Sequence, residues 1–193
     1  NNDECLIGQI DKVKVTDSNI FVLDKNVAKA IFMFDHNGKF IRKFDKYGKG
    51  EGEYLYLEDF DIYDDILYIM SSLDQKILQY DYHNDGFIKE TKLSDHGGYE
   101  IKVLPDQNYF TVRANSILRI DFWNSKGKQT SSILDKRFPY LKWSASKAIS
   151  SNINGNYICP AIGNMIYKVK NSNITPVYKF NFLNNNFSFD EID

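Results

Sequence analysis

The sequence predicts an all-β protein, a β-propeller built from four-stranded antiparallel blades, of which about four are visible in this chain. Three observations support this fold class. An order of strand, strand, polar glycine turn and strand recurs along the chain, the apolar positions are dominated by Tyr, Phe, Ile and Val, and helical periodicity is almost absent. A repeat of about 40–47 residues that holds four short strands has the size of one propeller blade.

The first two repeats show this order most clearly. Their turns are His36-Asn-Gly38 and Asn84-Asp-Gly86, and both turns contain the residue types that reverse a chain. Phe34-Asp35 corresponds to Tyr80-Asp81, a shift of 46 residues along the sequence. The strands around these turns are expected at 20–24, 30–35 and 39–44 in the first repeat and at 66–70, 76–81 and 87–91 in the second.

Two further repeats follow, the fourth fainter than the third. Each repeat also opens with an additional strand, and Lys12-Val-Lys-Val15 shows the clearest alternation of polar and apolar residues. A single blade cannot bury both of its faces, so consecutive blades are expected to pack side by side around a common axis. The sequence therefore predicts one propeller domain over 1–193, with blades at approximately 10–47, 57–93, 99–135 and 146–183.

The charge balance argues against a nucleic-acid partner. The 24 Lys and Arg residues are interspersed with 26 Asp and Glu residues, whereas a nucleic-acid-binding domain is expected to show a basic excess or stripe. The longest apolar run, Ala30–Phe34, is far shorter than the roughly 20 residues that span a bilayer, so no membrane span is predicted. Cys5 and Cys159 are interpreted as two small, buried or half-buried side chains, with one disulfide between them as the alternative.

Several segments of the first two repeats resemble the NHL-like six-bladed β-propeller proteins of gut Bacteroidetes. In that family the joint between two blades typically has the form Gly-x-Gly-Pro-Gly-Glu-Tyr, and here Glu51 replaces the proline. The resemblance is strongest from about Ile7 to Asp81 and persists as a pattern to about Phe182. The segments that carry it are Ile7–Ile10, Ile20–Asp24, Phe34–Ile41, Gly48–Tyr54 and Glu58–Asp61.

The resemblance implies a location and a blade number. Many of these proteins carry a lipoprotein signal, so we expect an extracytoplasmic protein. The chain begins Asn1-Asn-Asp-Glu without Met and shows no signal segment, which is compatible with a removed signal or lipid anchor. Six blades of about 42 residues need roughly 250 residues, so the resemblance implies part of a longer propeller, with a shortened form that closes differently as the alternative.

The glycine-rich segment Gly48–Tyr54 is interpreted as a loop that passes from one blade to the next. A phosphate-binding loop has the form Gly-x4-Gly-Lys-Ser/Thr and leads into a helix, whereas here Lys49 is followed by two carboxylates and no Ser or Thr. The three histidines are scattered along the chain, so no metal site is predicted. The family resemblance implies no assigned reaction, so no catalytic residue and no cofactor are predicted.

The candidate ligand-binding residues are aromatic side chains together with Glu53 and Tyr54, the last two residues of the segment Gly48–Tyr54. Aromatic rings with surrounding amides and carboxylates suit glycan binding, and the alternative is that these rings pack between blades. Trp123 follows the end of a strand and is expected to be partly exposed. The residues named as candidates for a ligand site are Glu53, Tyr54, Trp123 and Trp143, with Tyr56 and Tyr140 as further members of an aromatic platform.

Three functions remain open at this stage. The favoured one is a non-catalytic extracytoplasmic propeller that binds a ligand or protein partner, with a glycan as one candidate, on a face of the ring. The second is a lyase or hydrolase whose site in the central funnel combines residues from several blades. The third is a purely structural module of a larger protein.

Overall fold

A computed structural model describes residues 5–95, 97–114, 118–135, 148–160, 165–170 and 172–181. These residues form four antiparallel four-stranded sheets, which are the blades of a β-propeller. In every blade the four strands lie side by side in sequence order, as expected for strands that are joined by short turns. The predicted fold class is confirmed, with four blades, whereas the six-bladed form remains a prediction.

The first two blades match the two clearest repeats of the sequence. Their strands are rich in β-branched and aromatic residues, which pack well on a pleated surface. In the first blade the strands are β1 (Lys12–Val15), β2 (Asn19–Asp24), β3 (Ala30–Asp35) and β4 (Phe40–Phe44). In the second blade they are β5 (Asp59–Tyr63), β6 (Ile66–Ser71), β7 (Lys76–Asp81) and β8 (Gly86–Lys92).

The third and fourth blades repeat the same topology. In each blade the pairing of the third and fourth strands contains a register shift, for example between Phe122 and Trp123. The third blade consists of β9 (Glu100–Val103), β10 (Tyr109–Ala114), β11 (Leu118–Trp123) and β12 (Gln129–Asp135). The fourth consists of β13 (Ile149–Asn152), β14 (Gly155–Ile158), β15 (Met165–Lys170) and β16 (Asn173–Lys179).

The hydrophobic core is divided into layers between consecutive blades. Phe21 and Leu23 of the first blade pack with Phe60 and Ile62 of the second. Equivalent layers join the second blade to the third and the third to the fourth. Because every strand alternates its side chains between two faces, a blade in the middle of this series buries apolar groups on both sides. This is the stacking that the repeat pattern predicts.

The first strands of successive blades are joined by charged side chains. Lys12 Nζ lies 2.8 Å from Asp59 Oδ1, and Lys14 pairs with Asp61. The Asp59 carboxylate also accepts a hydrogen bond from the backbone N–H of Ile101, at 3.0 Å. Lys12 Nζ also donates to the Phe60 carbonyl at 2.7 Å. The bonds to Phe60 and from Ile101 thus satisfy backbone groups on the free edges of β5 and β9, which would otherwise be unpaired.

Both cysteines are free thiols, so no disulfide joins them. Cys5 is half-buried as expected, whereas Cys159 is exposed and the expectation of burial is wrong for it. Within the described residues, no helix has the length and apolar character needed to cross a bilayer.

Candidate functional site: a tyrosine cleft between the first two blades

The antiparallel order of the strands places the loops of a blade at two opposite ends. The loop between the second and third strands lies at the same end as the connection to the next blade. In the first blade these segments are 25–29 and 45–58. We call this end of the propeller the connection face.

The segment Gly48–Tyr54 connects β4 to β5, so its interpretation as a joint between blades is confirmed. Its own hydrogen bonds hold it folded. The backbone N–H of Gly48 donates to the Tyr54 carbonyl at 3.0 Å, and the N–H of Gly50 donates to Glu53 Oε2 at 2.7 Å. A Cβ on Gly48 would lie only 2.0 Å from Glu53 Oε2, so the joint is shaped around this carboxylate. Glu53, predicted as a ligand contact, therefore has a structural role here.

Tyr54 is fully buried, with 0% of its surface exposed, so the expectation that it faces a ligand at the rim is wrong. Its hydroxyl lies 2.8 Å from the carbonyl oxygen of Lys29 and 3.3 Å from that of Phe44. Burial raises the pKa of Tyr54 well above its ordinary value, so the hydroxyl remains a donor at neutral pH. Tyr54 thus ties the loop 25–29 to the joint.

A cleft of about 340 Å³ lies on the connection face, between the loop 25–29 and the joint. Two tyrosine rings are half-exposed in it, Tyr47 at 53% and Tyr56 at 49%. We call it the tyrosine cleft. It is lined by Lys25, Asn26, Lys29, Tyr47, Leu55, Tyr56, Leu57 and Glu58.

The charged groups of the tyrosine cleft are arranged in two ways. Lys25 Nζ lies 3.3 Å from Glu58 Oε1, so these two charges largely neutralise each other across the two blades. Lys29 Nζ lies 4.4 Å from the centroid of the Tyr47 ring, a cation–π geometry. Among the described residues no carboxylate lies within ion-pair distance of this ammonium group.

Two carboxylates, the buried Asp24 and the half-buried Asp74, hold the walls of the cleft in place. At the start of the loop 25–29, Asp24 accepts hydrogen bonds from the backbone N–H groups of Val27 and Ala28, at 2.9 and 3.0 Å. Burial acts to raise the pKa of Asp24, but the backbone N–H groups that donate to it outweigh burial and lower its pKa below the ordinary value. Asp74 accepts the N–H of Leu55 at 2.8 Å and fixes the opposite wall.

A second cleft, of about 390 Å³, lies between the third and fourth blades near the turn at 104–108 and Ser172. Trp123 lines it, but only 1% of this residue is exposed, so the expectation of partial exposure is wrong. The reason is that the ring packs with Tyr68 and Met70 of the second blade, while Nε1 donates to Thr111 Oγ1 at 3.0 Å. The indole face is therefore not available for stacking on a ligand.

The two other aromatic candidates, Trp143 and Tyr140, lie outside the described residues. Of the predicted aromatic platform, the structure places Tyr56 in the tyrosine cleft, half-exposed, and Trp123 against the second cleft with its ring buried. Sequence reasoning missed Tyr47, Lys25 and Lys29, which come from a loop and a joint that are far apart in the sequence. The only available signal was their position in turn segments at the same end of the blade. Among the described residues, no group of three or more His, Cys, Asp or Glu side chains is placed to hold a metal ion.

Comparisons with known proteins agree with the fold. The chain matches, over residues 1–193, the family described as a domain of unknown function (DUF4934), and it belongs to that family. No curated protein matches it significantly.

Among solved structures, one neighbour is a protein from Bacteroides fragilis named a putative exported protein, with a TM-score of 0.80 and 19% identity; the match covers 94% of this chain and 53% of that one. A protein of unknown function from Bacteroides caccae aligns with a TM-score of 0.57 and 14% identity, over 90% of this chain and 61% of its own. Virginiamycin B lyase from Staphylococcus aureus aligns with a TM-score of 0.53 and 17% identity, over 86% and 54%. These likenesses show the fold, and this chain spans between half and two thirds of each neighbour's length.

Proposed function

We propose that this member of the DUF4934 family is a non-catalytic, extracytoplasmic propeller that binds a carbohydrate in the tyrosine cleft. The observation that carries the proposal is the pair of half-exposed tyrosine rings, Tyr47 and Tyr56, in one concave site on the connection face. Binding sites in proteins are usually concave and combine apolar surface with a few polar groups that orient the ligand.

A sugar ring offers the chemistry that complements this cleft. Its C–H edges pack on the faces of tyrosine rings, which carry partial negative charge, while its hydroxyl groups need hydrogen-bond partners. Asn26 and Glu58 supply acceptors and Lys25 supplies donors around the rings. The walls are held by Asp24, as described above, so little ordering of the loop 25–29 is needed on binding.

The extracytoplasmic location has two supports. The Bacteroides fragilis neighbour is named a putative exported protein, and its fold matches nearly the whole of this chain. The segments quoted from the sequence resemble propeller proteins of which many carry a lipoprotein signal. Secretion of a full-length chain fused to a reporter that is active only outside the cytoplasm tests this part of the proposal.

We do not propose a reaction in the central funnel. The charged side chains that a funnel enzyme would use, such as Lys12, Asp59 and Asp61, bond to each other and to the backbone of the next blade. The fold shared with virginiamycin B lyase at 17% identity carries no information on activity.

The proposal is tested by isothermal titration with a panel of neutral and acidic oligosaccharides. We expect at least one of them to bind, and we expect Tyr47→Ala and Tyr56→Ala each to weaken that binding by about two- to tenfold through loss of a stacking face. Tyr178→Ala is the matched control, because Tyr178 is also exposed, at 59%, but lies on the outermost strand of the fourth blade. Equal weakening by all three variants, or no binding across the panel, would refute the proposed site.

A further inference from the structure

The tyrosine cleft carries one positive charge that its own residues do not neutralise. Two lysines and one glutamate line it, so the formal sum is two minus one, or +1. The Lys25–Glu58 pair, at 3.3 Å, joins the two blades and accounts for one charge of each sign. The remaining charge is that of Lys29.

Contacts of both the backbone and the side chain of Lys29 define the position of its ammonium group. Its backbone carbonyl accepts the Tyr54 hydroxyl, and its backbone has a positive φ of 51°, which directs the chain at the end of the loop. Its Nζ lies over the ring of Tyr47 at 4.4 Å, a ring that is itself half-exposed in the cleft. The ammonium group covers part of the Tyr47 ring, so a ligand on the remaining exposed surface of that ring lies next to the cation.

Among the described residues, the ammonium of Lys29 has a ring as its partner and no carboxylate. A cation–π contact at an exposed site leaves the N–H donors of the ammonium free to bind an anion. A neutral sugar on the tyrosine rings would leave this charge without a counter-charge, whereas a carboxylated sugar would supply one.

We propose that the tyrosine cleft selects an anionic saccharide, a sugar that carries a carboxylate, and that Lys29 recognises this group. The inference rests on the proposed carbohydrate function and adds the class of sugar and the residue that reads its charge. Tyr47 and Tyr56 hold the ring by stacking, and Lys29 donates charge-assisted hydrogen bonds to the carboxylate.

The test uses oligogalacturonate, oligomannuronate and oligoguluronate, each paired with its carboxyl-reduced form, in which the carboxylate is replaced by a neutral CH₂OH group. Titration calorimetry with the wild-type protein is expected to show two- to fivefold tighter binding of at least one acidic form than of its reduced partner, the size typical of an exposed ion pair. Raising the salt from about 0.1 M to 1 M is expected to remove most of this preference, because the Debye length falls from about 10 Å to 3 Å.

Three variants locate the preference. Lys29→Gln is expected to abolish the difference in Kd between the acidic and reduced forms. Lys39→Gln is the matched control, because it removes the same charge from an exposed lysine in the turn at the opposite end of the first blade. The double variant Lys25→Gln, Glu58→Gln removes both members of the neutral pair and is expected to keep the preference.

The outcomes separate this inference from the function on which it rests. Equal binding of the acidic and reduced forms, or a preference that survives in Lys29→Gln, would overturn the anionic selectivity and leave the carbohydrate site standing. If no acidic form binds but a neutral oligosaccharide of the wider panel does, the selectivity is again wrong. If nothing in either set binds, both proposals are wrong.

Discussion

The charged contacts between the first strands of the blades give the most direct test of how the propeller is held together. Asp61 is the centre of these contacts, with only 2% of its surface exposed. Its carboxylate pairs with Lys14, lies 3.1 Å from Lys102 Nζ, and accepts the backbone N–H of Val103 at 2.9 Å. One side chain of the second blade therefore binds the first and third blades.

The change Asp61→Asn keeps the shape of this residue and removes its charge. Two lysine ammonium groups, both less than a quarter exposed, then lose their counter-charge, and the asparagine NH₂ group has no acceptor among them. Breaking a buried ion pair from one side costs about 3–5 kcal/mol in the free energy of unfolding. With an m-value of about 2 kcal/mol/M, the urea midpoint is expected to fall by about 1.5–2.5 M.

A matched control separates this effect from a general loss of negative charge. Asp45 pairs with Lys43 at 2.9 Å, but its side chain is 51% exposed, and an exposed pair contributes at most about 1 kcal/mol. Asp45→Asn is therefore expected to shift the urea midpoint by less than about 0.5 M. If Asp61→Asn lowers the midpoint no more than Asp45→Asn does, the contacts between blades do not stabilise the propeller as argued.

The acid dependence of the same variant follows from the pKa of Asp61. Burial acts to raise this pKa, but Lys14, Lys102 and Lys12 outweigh burial and hold it below the ordinary value. The stability due to this shift is present above the unfolded pKa of about 3.9 and is lost as the pH falls through the folded pKa. The difference in unfolding free energy between wild type and Asp61→Asn is therefore expected to shrink as the pH is lowered from 5 to 2.

Three other substitutions test particular contacts, and the third has a matched control. Burial raises the pKa of Glu100 and outweighs the hydrogen bonds from the backbone of Ala148 and Ile149, which act to lower it. The contribution of Glu100 to the free energy of unfolding is therefore complete below the unfolded pKa of about 4.3 and is lost as the pH rises through the folded pKa. Urea midpoints should show that Glu100→Gln destabilises the protein less at pH 7 than at pH 4. Tyr54→Phe removes the bond to the Lys29 carbonyl and should cost about 1–2 kcal/mol in unfolding free energy and weaken ligand binding. Gly127→Ala should lower the free energy of unfolding by about 2–4 kcal/mol, because φ is +79° and the new Cβ would lie 1.9 Å from the Lys92 carbonyl oxygen. Gly38→Ala is the control: φ is +78° but the space around it is open, so it should lower the free energy of unfolding by only about 1 kcal/mol.

The sequence was sufficient to predict the blades because their signal is local. The residue types of each segment favour its backbone conformation. Examples are the equivalent strands Ala30–Asp35 and Lys76–Asp81 and the turn that ends at Gly38. Repetition of the same order then identifies the unit, and the need to bury both faces of each unit identifies the propeller. The alternation within a strand is a poorer guide to burial. In β1, its clearest example, Val13 and Val15 are exposed, at 51% and 60%, whereas the lysines between them are half-buried because they pair with carboxylates of the second blade.

The positions of individual aromatic rings could not be predicted in the same way. Trp123 lies at the end of its strand, where its own blade leaves room for exposure, but the neighbouring second blade covers it. Tyr54 follows a glycine-rich segment and yet is buried in the apolar layer between the first two blades, where its hydroxyl donates to the carbonyl of Lys29. Both outcomes depend on how one blade is placed against the next, and that placement has no short-range signal in the sequence.

The position of the tyrosine cleft explains why a binding site and a contact between blades involve the same residues. The cleft spans the joint between the first two blades, and the Lys25–Glu58 pair and the Tyr54–Lys29 bond both cross it. A ligand that contacts Tyr47 and Tyr56 therefore binds the folded arrangement of loop and joint and not the unfolded chain. By mass action, such a ligand at 100 times its Kd adds about 2.7 kcal/mol to the free energy of unfolding. The segment Gly48–Tyr54 is held by its own hydrogen bonds, among them that of Gly50 to Glu53, so it is ordered before a ligand binds. Little binding free energy is therefore spent on ordering the site.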